Sequence, residues 1–225
     1  MLIEYIGHAC FYIVTKNGTR IIIDPYDTSI GLAPVKKEAD IALITHHHYD
    51  HDFLGGVSGS PVVIDMAGEQ DAHGVKIRGR QIPHDGADGG KRGMVTCYTI
   101  KADGMNVLHM GDVGCMPDDA FFDWAGTVDI AMLPIGGVYT VDAGGALAIL
   151  EKLDANITIP MHYKTTHLTL GIESPDRFLA LARKVHDVAK LGGNKFEIDR
   201  DGLKKRGRIL MMENSFREGI YEDRV

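Results

Sequence analysis

The feature that most constrains this chain is the run Thr45-His46-His47-His48-Tyr49-Asp50-His51. It follows directly on Asp40-Ile41-Ala42-Leu43-Ile44, a short apolar segment that reads as a buried strand. In an extended chain, side chains at i and i+2 point the same way, so His46 and His48 reach one ion together. A turn after Tyr49 then brings Asp50 and His51 to a second ion nearby, while His47 and Tyr49 point elsewhere. Neutral imidazole and carboxylate are donors that suit zinc, manganese or iron. The competing reading is a closed structural zinc site. Such sites usually draw on cysteines, and Cys10, Cys97 and Cys115 all lie far along the chain from this run.

The order of elements around the run indicates the fold class. Leu2-Ile6, Cys10-Val14 and Arg20-Ile23 read as strands, the last two joined by the hairpin signal Asn17-Gly18. Pro61-Met66 reads as a further buried strand, and Asp52-Val57 leaves room for a short helix. From Val75 to Met110 the pattern is one of successive antiparallel strands, with Asp103-Gly104 as a second hairpin signal. Met116-Trp124 and Asp142-Leu153 read as helices around the strand Asp129-Ile135, and Ile157-Met161 is a strand ending at His162. Ser174-Pro175 predicts a helix start, with the helix continuing to Leu191 and His186 exposed on it. Lys195-Ile198 and Arg208-Met212 read as the last two strands, joined across Asp201-Gly202. Strands first, then alternating strands and helices, indicate a single α/β domain of packed sheets over residues 1–225.

Composition narrows the class of partner. With 225 residues, 44% hydrophobic and 24% charged, the chain has an ordinary globular make-up and enough length to bury a core. Its net charge of −7, and the lack of a basic, aromatic-rich stretch, argue against long nucleic acids as partners. Three unpaired cysteines and a start without a basic, apolar leader predict a reducing, cytoplasmic location. No apolar run reaches the ~20 residues that span a bilayer, so no membrane partner is expected.

The motifs, taken in order, resemble a known family. Thr45 to His51 carries the His-x-His-x-Asp-His pattern of the metallo-β-lactamase superfamily. Gly7-His8-Ala9-Cys10, Ile22-Ile23-Asp24-Pro25, His109-Met110-Gly111-Asp112, Leu133-Pro134-Ile135-Gly136-Gly137 and Pro160-Met161-His162-Tyr163 are similar to its L-ascorbate-6-phosphate lactonase-like branch of metal-dependent hydrolases. The resemblance implies a four-layer αββα sandwich of two mixed β-sheets. It implies two divalent metal ions, zinc first, with manganese, iron or nickel accepted by the same donors. His46, His48 and a later histidine resemble the ligands of one metal. Asp50, His51 and His162 resemble those of the other, and Asp112 the carboxylate between them. The later histidine is His84, at a predicted strand end, in preference to His73 in a polar loop.

Other residues carry open roles. Asp24 resembles a buried acid that orients a ligand, against the alternative of a turn cap. His8 is either part of the site or a satisfied core histidine. His109 reads as structural, and Tyr139, Tyr163, Lys164 and His167 as rim residues. The stretch from Asp85 to Gly90 reads as a mobile polar rim. The function implied is hydrolysis of an ester, lactone or phosphoester of a small molecule by a hydroxide held between two metals, with Asp50 and Asp112 catalytic. The alternatives are a phosphodiesterase or nuclease of the same fold, or a non-catalytic metal binder. Relatives that assemble make a homo-oligomer compatible with the resemblance.

Overall fold

A computed structural model describes residues 1–203 and 206–214. The strands are β1 (Leu2–Gly7), β2 (Cys10–Val14), β3 (Arg20–Ile23), β4 (Lys37–Glu38), β5 (Ile41–Leu43), β6 (Val57–Ser58), β7 (Val62–Ile64), β8 (Gly68–Ala72), β9 (Val75–Pro83), β10 (Met94–Ala102) and β11 (Met105–His109). Helix α1 (Asp119–Ala125), β12 (Ile130–Pro134), α2 (Ala143–Leu153) and β13 (Ile157–Met161) follow. Helix α3 (Asp176–Ala182), β14 (Asp187–Lys190), β15 (Lys195–Glu197) and β16 (Arg208–Met211) complete the order.

Two mixed sheets result. The first has the order β15-β1-β2-β3-β5-β7, antiparallel up to β3 and parallel beyond it. The second has the order β14-β16-β13-β12-β11-β10-β9-β8, parallel from β14 to β11 and antiparallel from there to β8. The alternation of side chains along the first sheet explains its near-continuous apolar runs. Ile3, Tyr5, Phe11, Ile13, Ile21 and Ile23 face the core shared with the second sheet. Ile6, Cys10, Tyr12 and Ile22 face outward, beneath Ile30, Leu32, Val35, Leu168 and Ile172. Strands buried on both faces lose the polar alternation of a half-exposed sheet.

The helices bury Phe121, Ile149, Leu150 and Phe178 against the second sheet. The layers therefore follow the expected αββα plan. The outer layer over the first sheet is reduced to a 3-10 turn, Thr28–Ile30, and loops. Helices α1 and α2 start where the acids lie. Asp118 caps the first by accepting from the Phe121 amide at 2.8 Å, and Asp142 caps the second by accepting from the Gly145 amide at 2.9 Å.

Four expectations are corrected. Helix α3 stops at Ala182, and residues 187–190 form β14, pairing in parallel with β16. His186 is in the turn between them, part-buried, with Nδ1 at 3.2 Å from the Gly207 carbonyl. Strand β7 is an edge strand whose Val62 and Val63 are exposed, with only Ile64 buried. Strands β15 and β16 form where expected, with a 3-10 turn at Arg200–Gly202 between them, and lie in different sheets. Finally, β8 pairs with β9 although the sequence reading placed no strand there. Among the described residues no helix is long and apolar enough to cross a membrane.

Candidate metal centre

The ends of β1, β3, β5, β9, β11 and β13 bring together His8, Asp24, the run 46–51, His84, Asp112 and His162. His46, His48 and His84 form one group of donor atoms, all within 4.8 Å of one another. His8, Asp50, His51 and His162 form a second group on the same criterion, and His46, His51 and Asp112 a third. Both histidine sets thus draw on both sheets. Asp112 Oδ2 lies 3.0 Å from His162 Nε2, 3.3 Å from His51 Nε2 and 3.7 Å from His84 Nε2, so one carboxylate touches the members of two groups. All seven residues expected as ligands are brought together here.

The backbone is shaped to permit this. His8, Asp24 and His162 have φ of 57°, 47° and 52°, the left-handed region that non-glycine residues seldom adopt. Such conformations cluster at functional sites, where the surrounding structure over-determines them. The His8 carbonyl accepts from the His162 amide at 2.8 Å and from the Tyr5 hydroxyl at 2.9 Å, tying the turns of the two sheets to each other. Gly114 and Gly136 let chain segments close on the histidines. A Cβ on Gly114 would meet the His84 carbonyl carbon at 2.2 Å, and one on Gly136 the His162 carbonyl oxygen at 2.1 Å.

Residues with open roles are now placed. Asp24, fully buried, accepts from the Thr45 amide at 2.8 Å and from the Thr45 hydroxyl at 2.7 Å, and lies 2.9 Å from His51 Nδ1. His8 Nε2 lies 3.1 Å from Asp50 Oδ2, making His8 part of the site rather than a detached core residue. A lone histidine in a turn carries no spacing signal, which is why the sequence left it undecided. His109 is structural: Nε2 donates to the Ala9 carbonyl at 2.9 Å, and Nδ1 accepts from the Gly111 amide at 3.1 Å. His73 is exposed in the turn between β8 and β9 and belongs to none of the donor groups. Tyr163 is buried away from the cleft, with its hydroxyl 3.4 Å from the Met212 carbonyl. The Lys164 ammonium is held by the Leu168 and Leu170 carbonyls, and His167 is exposed.

A cleft of about 280 Å³ opens above the donors, with His48, Asp50, His84 and Asp112 on its floor. Its walls are Tyr49, Arg92, Tyr139 and Leu170. Tyr49, expected to point elsewhere, therefore lines the cleft, whereas His47 is exposed beside Asp52 and Asp65. The stretch after His84, expected as a mobile rim, is organised around Asp85. Its carboxylate accepts from the amides of Ala87, Gly89, Lys91 and Arg92 at 2.7–3.0 Å. Against the opposing effect of burial, these amides hold the Asp85 carboxyl down to about 2.

The donors fit metal. His46 Nε2 and Asp112 Oδ1 are buried without a hydrogen-bond partner among the described residues, a costly arrangement unless something else satisfies them, while His51 Nε2 and His162 Nε2 face the Asp112 carboxylate at 3.3 and 3.0 Å. His46 Nδ1 meets the Thr45 hydroxyl at 3.0 Å and His51 Nδ1 meets Asp24, which leaves each Nε2 free to face the centre. The set is nitrogen and oxygen only, with no cysteine in any donor group.

The sequence profile described as the Beta-lactamase superfamily domain matches residues 2–162, a span that begins before His8 and ends on His162. The chain belongs to the metallo-β-lactamase superfamily. Within that superfamily it is 34% identical over 205 residues to a UPF0173 metal-dependent hydrolase of Thermoplasma volcanium, covering 80% of this chain and 90% of that one. It is 33% identical over 240 residues to a UPF0173 metal-dependent hydrolase of Thermococcus onnurineus, covering 92% and 98%. A crystal structure from Thermotoga maritima, of a candidate Zn-dependent hydrolase of the metallo-beta-lactamase superfamily, superposes with a TM-score of 0.77 at 30% identity, covering 94% of this chain and 98% of that one. These similarities place the protein among the metal-dependent hydrolases of the superfamily.

Burial opposes charge on His51, but Asp112, Asp24 and Asp50 around it push its pKa well above the ordinary value. His46 and His8 are driven the other way, mainly by burial, to about 2 and about 4, so they are already neutral. A ligating imidazole must be unprotonated, so His51 has to release a proton when metal binds. Metal affinity should therefore rise with pH below the His51 pKa, by about tenfold per unit for one proton released. Competition titrations with a chelator at pH 6, 7 and 8 check this; a pH-independent affinity would contradict it.

Proposed function

We propose that the protein hydrolyses an ester, lactone or phosphoester bond of a small molecule at a centre holding two divalent cations. The observation that carries this reading is Asp112, whose carboxylate lies within 3.0–3.7 Å of histidines from two donor groups. When bound, a cation pair supplies an acidified water and a Lewis acid for the carbonyl or phosphoryl oxygen. His46, His48 and His84 would hold one ion and Asp50, His51 and His162 the other, with Asp112 between them. Zinc is favoured, as in the description of the Thermotoga relative; manganese, iron and nickel suit the same donors.

The protein's own groups divide the remaining work. The Asp50 side chain is 12% exposed at the cleft, against 3% for Asp112. Asp50 is thus the carboxylate placed to take the proton of an incoming water, steadied by its contact with His8 Nε2. Asp112 holds the spacing of the two donor sets. The rings of His46, His51 and His162 are buried and do not line the cleft. A cleft of about 280 Å³ suits a small molecule rather than a polymer.

The test is elemental analysis of the purified protein followed by a substrate panel of lactones, p-nitrophenyl esters, phosphodiesters, RNA and DNA. The expected result is about two equivalents of divalent metal per chain, with chelator-sensitive cleavage of a small ester, lactone or phosphoester. Full activity with a single equivalent would overturn the two-cation part. Cleavage confined to RNA or DNA would favour a nuclease of the same fold.

A further inference from the structure

The walls of the cleft carry one cationic side chain, Arg92. We propose that Arg92 binds an oxyanion group of the substrate, a carboxylate or a phosphate, while the scissile bond lies over the donor floor. This assignment rests on the hydrolase reading above and adds a substrate class to it.

Three observations carry it. First, among the described residues the exposed Arg92 guanidinium forms no ion pair, although Asp50 and Asp112 line the same cleft. Arg20, by contrast, is paired with both Asp40 and Glu38. Secondly, the guanidinium carbon sits 4.4 Å from the centre of the Tyr139 ring. Stacking on an aromatic face restrains an arginine through its plane and leaves its N–H edge free. That edge matches a carboxylate or phosphate bidentately, which a lysine cannot reproduce. Thirdly, the backbone at Arg92 is pinned. Its amide donates to Asp85 at 2.8 Å, and the His84 amide donates to the Gly93 carbonyl at 3.0 Å, closing the loop on itself. Arg92 thereby sits on a loop closed directly beside His84, one of the floor residues. Arg92 adds a second cationic contact beside the donor floor, for the part of an anionic substrate that does not reach the cations.

The experiment compares three p-nitrophenyl esters sharing the scissile bond and differing in the tail: the pentanoate, the glutarate hemiester and the 4-phosphonobutanoate. Wild-type metal-loaded protein should prefer at least one anionic tail over the neutral one by about ten- to a hundredfold in kcat/KM, chiefly through KM. Arg92→Ala should bring that ratio close to one, Arg92→Lys should restore part of it, and metal content should match wild type in both variants. The carboxylate and phosphonate arms decide which oxyanion is preferred. Cleavage of all three esters with no tail preference, or a preference that survives in Arg92→Ala, overturns the proposal while leaving the hydrolase reading intact. Cleavage of none of them counts against that reading instead. In that event calorimetric titration of pentanoate, glutarate and 4-phosphonobutanoate still decides Arg92. Glutarate or 4-phosphonobutanoate, whose tail carries an added oxyanion, should bind about tenfold or more tighter than pentanoate and lose that advantage in Arg92→Ala; equal binding of all three by wild type overturns it.

Discussion

Replacing Asp112 by alanine is expected to lower kcat by about three orders of magnitude or more and to reduce the metal content of the purified protein. The carboxylate is 2% exposed and lies within reach of His51, His84 and His162, so its loss separates the two donor sets and leaves their nitrogens without a common partner. Burial works against its ionisation, yet His162 and His51 hold it well below the ordinary carboxylate range, so it is an anion at any working pH. Asp112→Asn keeps the volume and removes the charge. It should fold like the parent, with a similar thermal midpoint, and remain inactive. Steady-state kinetics and elemental analysis on both variants are sufficient; full activity with full metal in either one would sink the assignment.

The second large effect is expected at Asp24, which does not face the cleft. Its carboxylate receives the Thr45 amide and hydroxyl and His51 Nδ1. Because the Thr45 hydroxyl donates to Asp24, it can only accept from His46 Nδ1. A single buried carboxylate thus fixes the Nδ1 side of two histidines, one in each proposed metal set, and leaves each Nε2 as the position for ligation. Asp24→Ala should weaken metal binding by about ten- to a hundredfold and destabilise the fold by about 3–5 kcal/mol, since it strands buried partners. Asp24→Asn separates the two effects. Its amide can still accept from Thr45, but presents N–H to His51 Nδ1 and favours the wrong tautomer. It should therefore cost more in metal affinity than in melting temperature. A variant that melts early yet binds metal like the parent would show that Asp24 serves the fold alone.

Much of this centre was legible because its signals are local. The spacing from His46 to His51 at the end of an apolar segment needs no tertiary knowledge, and His84 and His162 each close a recognisable strand. What escaped was set by distant partners. Residues 178–189 carry apolar side chains at spacings that suit a helix. Pairing of Asp187–Lys190 with Arg208–Met211 nonetheless draws the second half into an edge strand. Strand β8, Gly-Glu-Gln-Asp-Ala, is almost wholly exposed and held mainly by backbone pairing to β9, so it lacks the alternation that would reveal it. Asp85 looked like one more polar residue in a glycine-rich stretch. Its role lies in four amides that the backbone presents only when folded.

The distribution of donors along the chain also bears on how the protein matures. The first donors lie at residues 8 and 46–51, and the last at 162, so neither donor set is complete on one sheet. During synthesis a chain that has emerged only as far as β8 displays the histidine run without His84, Asp112 or His162. Such a fragment can hold an ion only weakly, through neighbouring imidazoles. Tight loading must wait until the two sheets have docked face to face, which joins segments more than a hundred residues apart and belongs to the slow end of folding. In the growing chain, tight metal uptake is therefore expected to follow sheet docking rather than precede it.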